Sequence, residues 1–113
     1  MDKEKLLDKV GWITQMEKIP PLTEEYKESW RRFFANYVTF LQNNNFTTRN
    51  ILEEGQKVTD DIAIKYGDLT PEGFEFYKFG IMKWIAKYDR AKDKDKAMND
   101  FAFIEKKLNE FRE

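Results

Sequence analysis

The stretch Leu69-Thr70-Pro71-Glu72-Gly73-Phe74-Glu75-Phe76-Tyr77-Lys78-Phe79-Gly80-Ile81-Met82-Lys83-Trp84-Ile85-Ala86-Lys87-Tyr88-Asp89-Arg90 decides how the rest of the chain is read. Thr70 is a good N-cap, Pro71 suits the first helical position where no N–H is needed, and Glu72 sits at the positive pole of the helix dipole. Leu69 and Phe74 have the spacing of a hydrophobic staple across that start. Lys83, Lys87 and Arg90 crowd the opposite end, where cations complement the negative pole. The pattern predicts a helix over about 70–89.

The apolar residues of this helix fall into two sets. Phe74, Tyr77, Ile81, Trp84, Ile85 and Tyr88 share a stripe about 100° wide at 3.6 residues per turn, while Phe76 and Phe79 lie on the far side among Glu75, Lys83 and Lys87. Either the helix is central and buried on both sides, or Phe76 and Phe79 form an exposed patch for a partner. Gly73 and Gly80, seven residues apart on nearly one side, each cost about 1 kcal/mol of helix propensity relative to Ala, which calls for another element in close approach.

Working outward, Thr23 with Glu24 and Glu25 starts a second strong helix, over about 23–44, with Tyr26, Trp30, Phe33, Phe34, Tyr37, Phe40 and Leu41 on one face. Asn43-Asn44-Asn45 closes it, because Asn tolerates the left-handed conformation. Phe46 and Ile51 fit a staple around Thr47, predicting a helix over 47–66 that carries Val58, Ile62 and Tyr66 and ends at Gly67. Leu6, Val10, Ile13 and Met16 predict a helix over 3–17, stopped by Pro20-Pro21. Ala97, Met98, Phe101, Ile104, Leu108 and Phe111 predict one over 94–111. The expected fold is all-α, an antiparallel up-and-down bundle of four to five helices forming a single domain over 1–113.

Composition narrows the function. Ten Phe, five Tyr and three Trp among 113 residues provide a core, and 20 basic against 21 acidic residues leave a net charge of −1, so no global field draws the chain to nucleic acid. No apolar run reaches the roughly 18 residues of a membrane span, and Met1 to Gln15 is too charged for a secretory signal, so a cytoplasmic location is expected. Cysteine and histidine are both absent, which excludes disulfides, thiolate and imidazole metal sites and the usual imidazole base. Ser29 is the sole serine and has no histidine to activate it, so neither an enzyme nor a cofactor is expected.

The remaining charge clusters read as solvated faces. Glu53, Glu54, Asp60 and Asp61 lack the Glu-x-x-His pattern of di-metal bundles. Asp89, Asp93, Asp95 and Asp100 lack the glycine and closing glutamate of a calcium loop, and read as capping residues of an inter-helix turn. Lys27, Arg31 and Arg32 stand among Glu24, Glu25 and Glu28, without the sustained basic stripe of a nucleic-acid site. Trp12, Ile64 and Phe103 lie off their apolar stripes and are further candidates for a second layer or a binding surface.

A protein-binding module fits these constraints best, since Tyr, Trp and Phe anchor interfaces. The segment from Leu69-Thr70-Pro71-Glu72-Gly73 through Trp84 to Asp89-Arg90 resembles parts of small helical bacterial immunity proteins. That resemblance implies a non-catalytic cytosolic inhibitor that binds a cognate toxin, docking near Lys83, Lys87 and Arg90. The alternative is a self-associating protein with Phe76, Phe79 and Gly80 as a homodimer seam. A small-molecule pocket between the aromatic helices is a third option.

Overall fold

The computed structural model describes residues 2–113. The chain is mostly helical but also carries a two-stranded antiparallel sheet. Its elements are β1 (Leu6–Lys9), α1 (Gly11–Thr14), α2 (Glu24–Asn43), β2 (Ala63–Lys65), a 3-10 turn (Tyr66–Asp68), α3 (Pro71–Phe76), a π-helical turn (Tyr77–Ile81), α4 (Met82–Arg90), α5 (Lys94–Met98) and α6 (Phe101–Arg112). No helix among the described residues is long and apolar enough to cross a membrane.

The strongest start signals hold. The Thr23 side chain accepts from Tyr26 N–H at 3.1 Å, and Thr70 accepts from Gly73 N–H at 2.9 Å, with Pro71 in the first turn. Asn45 takes φ +62° just past α2. The aromatic wall of α2 forms as expected, with Trp30, Phe33, Phe34, Tyr37, Phe40 and Leu41 buried. Phe33 stacks on Tyr88 of α4 at 4.4 Å and meets Trp84 edge-on at 5.1 Å, which joins α2 to α4.

Two predicted helices are absent, which replaces the all-α bundle with a helical layer plus a small sheet. Over 47–66 the chain instead makes a bridge from Thr47 to Leu69, a series of turns, and β2. Gly55 lies at φ +76°, a left-handed conformation that no continuing helix accommodates. The Gln42 side chain also captures the N–H groups of Ile51 and Leu52, so these two buried neighbours anchor a loop.

Over 3–17 the helical spacing of the apolar residues is overridden by pairing of β1 with β2, in a register irregular between Leu6 and Asp8. Only the single turn α1 is helical there. The predicted helix over 94–111 breaks at Asn99-Asp100, where Asp100 accepts from Phe103 N–H at 3.2 Å and begins α6 anew.

The two-sided pattern of 70–89 has a geometric cause. By an α-helical count Phe76 lies about 110° from the centre of the Tyr77, Ile81, Trp84 and Tyr88 stripe. The π turn over Tyr77–Ile81 adds one residue to a turn, which rotates α3 by about 100° relative to α4. Phe76 thereby rejoins Ile81, Trp84 and Tyr88 in the core, all at 0% exposure, whereas Phe74 is left half-buried.

Candidate functional site

The six residues singled out in the sequence do not form one surface. Phe76 stacks on Phe46 at 5.2 Å and meets Phe111 at 5.4 Å, deep in the core. Gly80 is buried against that same ring: a Cβ there would stand 2.8 Å from Phe76 Cε1 and 3.4 Å from Lys107 Cβ. The close approach expected at this glycine therefore exists, but within one chain. Phe79 is half-buried against Phe111, with Lys83 Nζ 4.5 Å from its ring centre. Lys87 pairs with Asp100 and lies over Phe103, and Arg90 is exposed at the end of α4. Phe76 and Gly80, expected in a homodimer seam with Phe79, are thus corrected to core packing, while Phe79 is half-buried at the edge of that core. Of the three off-stripe residues, Ile64 is buried, Phe103 half-buried and only Trp12 exposed.

A concavity lies elsewhere, an open groove of about 940 Å³ between the start of α2 and the connection from α4 to α5. Capping chemistry builds both walls. Thr23 caps α2 on one side, and Asp93 caps α5 on the other by accepting from Lys96 N–H at 3.0 Å. Glu24 and Glu25 favour the positive pole of α2, so the residues that start this helix also line the groove with carboxylates. Tyr26 and Ser29 also line it, with the Ser29 hydroxyl bonded to Tyr88 Oη at 2.8 Å.

Five carboxylates and three cations line this groove, giving it a net negative character within a nearly neutral chain. Several are tied down locally: Glu24 to Lys27 at 3.6 Å, Glu28 to Arg31 at 3.3 Å, and Asp95 to Arg32 at 3.7 Å. Glu25 has no ion-pair partner among the described residues. Burial, with Asp89 nearby, raises the Tyr26 hydroxyl above its ordinary pKa, and burial outweighs the bond from Ser29 in raising Tyr88. Both phenols stay neutral; the Tyr26 ring lines the groove, whereas Tyr88 is fully buried, with its ring stacked on Phe33.

Lys94 occupies the middle of this arrangement. Its Nζ donates to the backbone carbonyls of Tyr88 at 2.9 Å and Asp89 at 2.8 Å, and stands 5.0 Å from the Tyr88 ring centre and 5.8 Å from that of Tyr26. The carbonyls carry the negative end of the α4 dipole. Trp30 Nε1, on α2, is buried with no hydrogen-bond partner among the described residues, and nothing in its surroundings accounts for it.

A second polar cluster has no signature in the sequence. Tyr37 and Tyr77 both donate to Asp8 Oδ2, at 2.6 and 3.2 Å, joining β1 to α2 and to the π turn. Burial raises the Asp8 pKa despite these donors, and burial with the adjacent Asp8 charge pushes both phenols upward. Two further carboxylates fasten the long loop. Asp60 accepts from Thr14 at 2.8 Å and Arg31 at 3.1 Å, and Asp68 accepts from Arg49 at 2.8 and 3.1 Å and from Lys65 N–H at 2.9 Å. These acids hold the fold together.

Comparison with known protein families, curated proteins and solved structures gives no match to this chain.

Proposed function

We propose that the protein is a non-catalytic protein-binding module whose acid-walled groove receives a positively charged segment of a partner. The observation that carries this reading is the groove itself, a concave surface of net negative charge that includes the neutral Tyr26 ring. A basic segment would gain both carboxylate pairing and cation–π contact there. Its polar groups already have structural tasks: Thr23 and Asp93 cap helices, Ser29 is bonded to Tyr88, and Lys94 ends α4. That favours recognition over turnover, which needs a nucleophile or base free to move a proton.

The resemblance of 69–90 to immunity proteins gives the reading its specific form, an inhibitor that neutralises a toxin by direct binding. In this chain the segment supplies core and ends just before residues 92–95, which form the second wall of the groove, so the contact surface moves from Lys83, Lys87 and Arg90 to the adjoining groove. The test is affinity capture with the wild-type protein and Glu25→Lys in parallel, with reconstitution of the purified pair afterwards. A partner retained by the wild type and lost by the folded variant supports the proposal. A reconstituted pair indifferent to the substitution contradicts it.

A further inference from the structure

The geometry around Lys94 points to an ammonium-recognition subsite, and we infer that the groove takes the side chain of a lysine from the partner there. This inference rests on the reading of the groove as a protein-binding surface and names the chemistry of one position within it.

Lys94 is the first residue of α5, where a cation faces the unfavourable end of the dipole, and it has no carboxylate partner among the described residues. Its ammonium is held instead by two terminal carbonyls of α4 and lies near two phenol rings. Such a set suits a compact ammonium: carbonyls accept its N–H bonds, the ring faces attract its charge, and a third N–H remains for an outside acceptor. A planar guanidinium has a different, forked requirement. Lys94 is therefore an intramolecular occupant that lines the groove beside Tyr26, with Glu25 and Asp93 on the walls, and its displacement opens the Tyr88 ring and the two carbonyls to that groove.

A partner lysine replaces Lys94 only when the rest of its segment also contacts the acidic walls, because an isolated ammonium competes against one already tethered in place. The subsite thereby selects lysine within a basic segment and discriminates against arginine at that position.

The test uses small probes and needs no natural partner. In Lys94→Ala, the peptide acetyl-Gly-Lys-Gly-amide is titrated while the ring resonances of Tyr26 and Tyr88 are monitored by NMR, with the norleucine and arginine analogues as controls. The expected result is saturable binding of the lysine peptide with a midpoint on the order of millimolar, at least about tenfold weaker binding of both analogues, and at least about tenfold weaker binding of the lysine peptide to the wild type. Lys94→Ser, suited to a helix start and too short to reach the α4 carbonyls, also vacates the site and serves the same titration if the alanine variant unfolds. Equal binding of lysine and norleucine peptides, or no ring shifts with a folded variant, overturns the inference. A natural partner lost with Glu25→Lys alongside such a negative titration would leave the groove reading standing and remove only the ammonium subsite.

Discussion

Alanine at Gly73 should destabilise the protein, although the same change raises stability in an ordinary exposed helix. The N–H of Gly73 caps α3 on Thr70 Oγ1, and its Cα lies against the chain at Phe46, so that an added Cβ would collide with the Phe46 carbonyl carbon and oxygen. That carbonyl also accepts from Thr70 N–H at 2.9 Å and cannot move without losing the bond. Helix propensity gains about 1 kcal/mol from Gly→Ala. Overpacking against fixed backbone costs about 1–3 kcal/mol, and disturbing the Thr70 bond adds roughly 1 kcal/mol. The net loss is about 1–3 kcal/mol. Urea unfolding monitored by tryptophan fluorescence measures it as a lower midpoint with unchanged slope, a shift of about 1 M for a slope of about 1–3 kcal/mol/M. Stability equal to or above the wild type would refute the packing of α3 on Phe46.

The same contacts fix further outcomes. Phe76→Ala should cost about 3–5 kcal/mol by calorimetry or urea unfolding, the range for deleting a core aromatic; a loss below about 1 kcal/mol would return Phe76 to the surface. The raised Asp8 pKa makes that residue's contribution full below its unfolded value near 3.8 and progressively lost as pH rises through its higher folded value. Asp8→Asn should therefore flatten the decline in stability on the neutral side of pH 3.8, as read from thermal midpoints across pH. Asp68 has the opposite sign: burial pushes it up, but Arg49 and the Lys65 N–H together hold it below 3.8, so its contribution fades as pH falls through that lower value. Asp68→Asn should flatten the acid side of the same profile. Trp12→Ser, at a side chain 49% exposed, should change stability by less than about 1 kcal/mol in urea unfolding.

What the chain discloses in advance depends on how local each determinant is. The starts at Thr23 and Thr70 are legible because a cap, its dipole-facing acids and an adjoining apolar stripe lie within a few residues. The absent helix over 47–66 is not, because its apolar residues keep helical spacing while Gly55 in the left-handed region and the distant Gln42 side chain decide the backbone. Likewise, Leu6, Val10 and Ile13 carry a helical period that strand pairing with Ala63–Lys65 overrides. The 70–89 segment shows in its sequence that a single-faced α-helical count fails, but the resolution, a π turn, has no local sequence signature. The groove is hidden for a related reason. Its carboxylates are visible as caps and solvated charges, but Lys94 against Tyr26 and Tyr88 is a juxtaposition that only the packing of α2 on α4 creates.

Binding of a basic partner in the groove is tested most directly by calorimetric titration of the purified pair. Glu25 faces the groove in the first turn of α2, and reversing its charge should cost the fold no more than about 1 kcal/mol through the dipole. Binding should weaken at least about tenfold in Glu25→Lys, roughly 1.4 kcal/mol, and weaken with rising salt in the wild type. Affinity that is unchanged by the substitution and insensitive to salt would contradict the assignment of the groove as the binding surface.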